Sequence, residues 1–171
     1  MVEATQRRGF WKIALACLVL IEVLGGLSGW LSNSGYGNGW FDTLRKPMFM
    51  PPGWAFGVVW PILYALMGVA LAMVLADRTS DRRRFALTLF FIQLALNISW
   101  SPIFFAAHEI TLAKWIIFVM AICAAGAAGQ FLRIRQAAGL LMLPYLAWLI
   151  FAAVLNVTIE ALNPGAGSSL F

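Results

Sequence analysis

Charge is what this chain has least of: only 11% of its 171 residues are Asp, Glu, Lys or Arg, against 62% hydrophobic. A water-soluble domain usually carries about 25% charged residues, so the composition suits lipid as the solvent. Histidine and cysteine are scarce as well. The single histidine, His108, lies in a turn beside Glu109, and the two cysteines, Cys17 and Cys123, sit inside apolar runs. That pattern excludes a His/Cys metal site, and both thiols are expected to be buried structural residues. No paired carboxylates, phosphate-binding glycine loop or nucleophile elbow can be read, so the residues predict neither a catalytic constellation nor a metal. The net charge of +5 forms no single basic face. Its cations flank apolar runs, which points to a membrane and to no nucleic-acid partner.

What the chain does have is hydrophobic length. Five apolar stretches, about 11–31, 54–76, 85–107, 112–132 and 139–162, each approach the 20 residues that a helix needs to cross a bilayer. The runs are continuous, not alternating, which favours helices over a barrel. Glu22, Lys114 and Glu160 are the charged exceptions inside them. The connectors "DRTSDRRR", "HEI" and "RIRQAA" are short, and short connectors make antiparallel neighbours. The expected fold is an all-α integral membrane protein, one domain over 1–171, built as a five-helix bundle. Only the first connector, 32–53, is long, and long ordered loops are usually functional.

Arg7, Arg8, Lys12, Arg78, Arg82, Arg83, Arg84, Arg133 and Arg135 fall on one side of such a bundle, and Arg45, Lys46 and Lys114 on the other. This asymmetry predicts a cytoplasmic amino terminus and a first connector facing away from the cytoplasm. The opening "QRRGFWKIALACLVL" also resembles a twin-arginine export signal. The run is long enough to span, however, lacks a clear small-x-small site, and is followed by four more spans.

Polar and aromatic residues mark faces within the spans. Gln93, Asn97 and Trp100 follow at i, i+4, i+7; Tyr145, Trp148, Ala152, Asn156 and Glu160 repeat at steps of three and four; Trp60 and Tyr64 are one turn apart. Amides are costly in hydrocarbon, so these faces should turn inward. Flat apolar walls with a few hydrogen-bonding groups make a small-molecule pocket, with plain packing the alternative for Trp60, Trp100 and Trp148. Trp11, Trp30 and Trp115, near span ends, read as interface anchors. Glu22, mid-span, is a functional candidate by its position, and a protonated carboxyl hydrogen-bonded to another helix is the plainer reading. Gly25 with Gly29, and Ala125 with Gly129, would allow close helix contact. Pro61, Pro102 and Pro144 can each bend a span.

The segments "WFDTLRKPMFMPPGWAFGVVWPILY", "QLALNISWSPIFF" and "LPYLAWLIFAAVLN" resemble, in order and spacing, the signature regions of the TspO/MBR family. This is the family of tryptophan-rich sensory proteins and translocator proteins, or peripheral-type benzodiazepine receptors. The resemblance implies a bacterial membrane receptor or sensor, usually a homodimer, that binds porphyrins such as protoporphyrin IX and haem, and benzodiazepine-site ligands. It links the protein to tetrapyrrole regulation or stress responses. Transport of porphyrin-like or lipid ligands, or light-dependent porphyrin breakdown, is the alternative; no obligatory cofactor is implied. The bacterial cell membrane is expected, with the outer membrane left open.

Matched position by position, the resemblance assigns the ligand site to Trp40, Phe41, Trp60, Asn97, Trp100, Tyr145, Trp148, Ala152 and Leu155, and the photoreaction to Trp60 and Trp148. The family's usual KPxWxPP reads "KPMFMPP" here, so Phe49 replaces a tryptophan, and Phe41 stands where tyrosine is common. After Asn156 the chain reads "VTIEALN", without the Tyr-and-cation pattern that animal members carry for sterol. The prolines of "KPMFMPPGW" fix φ and stiffen the first connector. It reads as a lid, with Arg45 and Lys46 at its edge as partners for porphyrin propionates.

Overall fold

The computed structural model describes residues 2–167, with side chains from residue 9 onward. Its helices are α1 (Val2–Leu31), α2 (Gly39–Thr43), α3 (Gly53–Ala76), α4 (Arg83–Ser101), α5 (Ile110–Ile134), α6 (Gln136–Leu141) and α7 (Leu143–Leu162), with a π-helical turn at Pro102–Ala106. Five spans long and apolar enough to cross a membrane result: Gly9–Leu31, Gly53–Ala76, Arg83–Ala106, Ile110–Ile134 and Gln136–Leu162. Among the described residues all regular structure is helical.

The outer faces of these helices carry Leu15, Val19, Val23, Phe91, Ile122 and Ile150 exposed, as a lipid-facing surface requires. Trp11, Trp30 and Trp115 are exposed near span ends, as anchors would be. Inside, Ile21, Met67, Phe90, Ile117, Phe131 and Leu149 are fully buried. Small residues bring the helices together. A Cβ on Gly68 of α3 would lie 2.7 Å from the Cα of Leu18 on α1, so glycine alone permits this approach. The close contact expected of Gly25 and Gly29 is not made that way. Gly25 instead accommodates the ring of Tyr64, and Gly29 faces only the Ser34 hydroxyl, at 4.0 Å. Gly129 meets nothing within 4 Å. Cys17 is buried, whereas Cys123 is only half-buried, contrary to expectation.

The proline positions act differently from one another. Pro61 lies inside α3, and Pro144 occupies the first turn of α7, where its missing N–H is no loss. Pro102 opens the π turn, in which Ala107 N–H bonds to Pro102 O at 2.9 Å. The turn brings Phe104 and Phe105 into the interior, both buried.

The connectors depart from expectation in two places. The first, 32–53, is no plain loop, for it contains α2. Asn38 caps this helix by accepting from Phe41 N–H at 3.0 Å, and its amide donates to Asn33 O and Phe105 O. Between the fourth and fifth spans, "RIRQAA" shrinks to Arg135, the only residue between α5 and α6. Its N–H bonds to Phe131 O at 2.7 Å while its carbonyl receives Ala138 N–H at 2.9 Å, so one extended residue ends one helix and starts the next. Gly139 permits the tight corner, since a Cβ there would meet the backbone nitrogen of Leu132 at 2.6 Å. In the polar hinge, Arg83 turns back to donate to Val74 O and Leu75 O at the end of α3. Asp77 accepts from the Thr79 hydroxyl and N–H, which holds its carboxyl below the usual carboxylate range.

Candidate functional site

A cavity of about 470 Å³ lies among all five spans and reaches the first connector. This is the size range of small-molecule sites. The chain direction orders its levels. Trp30, at the end of α1, and Phe41 and Met50 of the connector line the end nearest the loop. Glu22, Tyr64 and Asn97 line it further along their helices, toward the opposite side.

Aromatic rings make the walls. Trp60 and Trp148 meet edge to face at 6.3 Å, and Phe56 meets Trp148 at 5.9 Å. Trp100 stacks on Phe104 at 4.9 Å with 15° between planes. The two rings are four residues apart, which brings them to one face where α4 runs into the π turn. Trp60, Trp100 and Trp148 all remain partly accessible from the cavity side. Such walls fit a flat aromatic guest through offset or edge contacts.

Behind the walls runs a buried polar chain. Tyr64 Oη donates to Asn97 Oδ1 at 2.9 Å, Asn97 Nδ2 donates to Tyr145 Oη at 3.2 Å, and Tyr145 Oη donates to Gln93 Oε1 at 2.8 Å. It ties α3, α4 and α7 together and fixes which atoms of Tyr64 and Asn97 face the cavity. Asn156 is different. It is 2% exposed, lines the cavity, and has no hydrogen-bond partner on either amide atom among the described residues. Trp100 Nε1 is likewise unpartnered. Buried polar atoms are normally satisfied, so these are groups a guest can complete.

Of the residues expected at the site, Phe41, Trp60, Asn97, Trp100, Trp148, Ala152 and Leu155 line the cavity together. Tyr145 does not. It is fully buried behind the wall and serves the polar chain. Trp40 also lies off the cavity, stacked on His108 at 4.3 Å, with Nε1 donating to Ala166 O. His108, expected in a turn, is in one at φ 62° and is held there by that stack. Neither Arg45 nor Lys46 is brought to the cavity lining. Arg45 is exposed, and the Lys46 ammonium donates to Phe41 O at 2.7 Å and to Asp42 O and Leu44 O, closing the end of α2.

Glu22 corrects the plainer expectation. Among the described residues its carboxyl makes no hydrogen bond to another helix; it lines the cavity, as does Tyr64. Lys114 and Glu160, the other intramembrane charges, form a partly buried pair at 2.6 Å that joins α5 to α7, with Thr111 donating to the same carboxylate. Phe104, Phe105 and Phe56 belong to the lining and were not singled out for it; Asn156, expected on the inward face of the fifth span, lines it too. Asn156 was legible, two turns from Trp148 on one face. Phe56 and Phe104 stand four residues from Trp60 and Trp100 on the same faces and were legible too, whereas Phe105, carried by the π turn, has no such spacing. Among the described residues no group of three His, Cys, Asp or Glu could hold a metal.

The sequence pattern of the TspO/MBR family matches residues 16–162. A tryptophan-rich protein TspO of Chlorobaculum tepidum is 41% identical over 133 residues, covering 73% of this chain and 80% of the relative. A tryptophan-rich sensory protein of Cereibacter sphaeroides is 36% identical, covering 72% and 77% respectively. A translocator protein of Sus scrofa is 34% identical, covering 85% and 88%.

Proposed function

The chain belongs to the TspO/MBR family and is a multi-pass integral membrane protein, and from that premise we propose a receptor or sensor for porphyrins and benzodiazepine-site ligands. The observation that carries this reading is the meeting of Trp60, Trp100 and Trp148 around one 470 Å³ cavity beneath the first connector. A porphyrin such as protoporphyrin IX or haem offers the flat ring that such walls accept, and the connector acts as the lid. Titration of the detergent-solubilised protein with protoporphyrin IX is expected to quench tryptophan fluorescence saturably. Absence of saturable quenching in folded protein would sink the reading.

The edge-to-face approach of Trp60 and Trp148 favours a second reading, light-dependent porphyrin breakdown. Bleaching of bound porphyrin under illumination should then slow in Trp60→Phe and Trp148→Phe. An unchanged rate in both would exclude it. We further propose a homodimer in the bacterial cell membrane with its amino terminus in the cytoplasm. Cross-linking in membranes tests the first. An impermeant thiol reagent, applied to intact cells carrying a cysteine in the first connector, tests the second.

A further inference from the structure

Glu22 is the only charged residue among the described residues that line the cavity. It lies eight residues before Trp30 on α1, roughly 12 Å from the loop end at 1.5 Å per residue. It has no ion-pair partner among the described residues. Tyr64 cannot supply a hydrogen bond either, because its hydroxyl proton is committed to Asn97 at 2.9 Å. The cations on the loop side are far along the helices or occupied: Lys114 by Glu160, and Lys46 by carbonyls. The aromatic rings of Trp60, Tyr64 and Trp148 share the cavity with this one carboxyl. Ring faces attract cations, and an ionisable group inside a bilayer commonly serves as counter-ion to a ligand.

We propose that Glu22 makes the inner end of the cavity acidic and selects ligands by the charge of the end that enters first. A protonated nitrogen or a ring N–H is drawn to Glu22, and a carboxylate is kept at the loop end. For a porphyrin this sets orientation, with the propionate edge toward the connector and the opposite edge toward Glu22. The inference rests on the cavity being a ligand site.

Three probes on one aromatic scaffold separate the two ideas: 1-pyrenemethylamine, 1-pyrenemethanol and 1-pyrenecarboxylic acid. Binding is read by energy transfer from tryptophan in a neutral detergent, with wild type and E22Q side by side. In wild type the amine should bind about tenfold or more tighter than the acid, with the alcohol between, as expected for one unit charge in a weakly polar site. In E22Q the charge order should collapse to within about twofold. The alcohol should bind both proteins alike, which shows that the variant's cavity is intact. An alcohol that binds while wild type shows no charge order, or an order that survives in E22Q, overturns the role of Glu22 alone. Failure of all three probes to bind overturns the ligand-site reading together with it.

Discussion

Asn156 holds both ends of its amide in the cavity wall without a partner among the described residues, and a buried polar group left so costs about 1–3 kcal/mol. Asn156→Leu, close in size and apolar, is therefore expected to raise the thermal midpoint in detergent. The same change should weaken any ligand whose polar edge completes the amide. A fall in midpoint comparable to a core truncation would contradict this. The two connector cations separate in the same manner. Arg45 is exposed and free to meet a propionate, so Arg45→Ala should weaken protoporphyrin IX severalfold or less, within the roughly 1 kcal/mol of a solvated pair. An uncharged ligand should be unaffected. Lys46→Ala removes bonds to three carbonyls of the connector and should weaken charged and uncharged ligands equally. Competition binding with both ligand types reads the difference.

Among the elements, α3 meets the backbone of α1 at Gly68. Gly68→Ala must displace the backbone of Leu18, and overpacking of this kind costs about 1–3 kcal/mol. Gly129→Ala, where nothing lies within 4 Å, should be neutral or gain up to about 1 kcal/mol from helix propensity. Thermal unfolding of the two variants should move in opposite directions, and a parallel shift would refute the packing argument. The five spans were legible because hydrophobic length alone defines them. Helix α2 was not, since five residues carry no period; its cap on Asn38 is local, through Phe41 N–H, while Phe105 O holds the other end of the same amide. Nor did the sequence announce which glycine mattered. GxxxG spacing drew notice to Gly25 and Gly29, while Gly68 makes the contact without a motif.

At the scale of the whole molecule, the first connector is bound to the far end of α7. Arg45 N–H donates to Asn163 Oδ1 at 2.7 Å, and Asn163 Nδ2 donates to Arg45 O at 2.9 Å. Each bond is worth about 0.5–1.5 kcal/mol. Asn163→Ala should thus speed ligand dissociation severalfold, measured by stopped-flow displacement, if the connector is the lid. Unchanged dissociation would place the entry route elsewhere. The cavity as a whole was foreseeable from three inward faces, and most residues expected on it line it. Tyr145 falls outside because depth along a helix radius is not encoded in spacing: its position satisfies the period, yet its hydroxyl is spent on Gln93. Trp40, placed on the site by the family resemblance and not by a period, has its ring stacked on His108 instead.

The seat of Trp40 has a practical corollary. Its indole N–H is held by the carbonyl of Ala166, and Gly167 packs close to His108, with a Cβ there only 3.2 Å from the histidine carbonyl. The carboxyl-terminal stretch is thereby a clasp on the segment that borders the cavity. A fluorescent protein or affinity handle fused beyond this stretch would pull on that clasp. It would alter apparent affinities without touching a cavity residue.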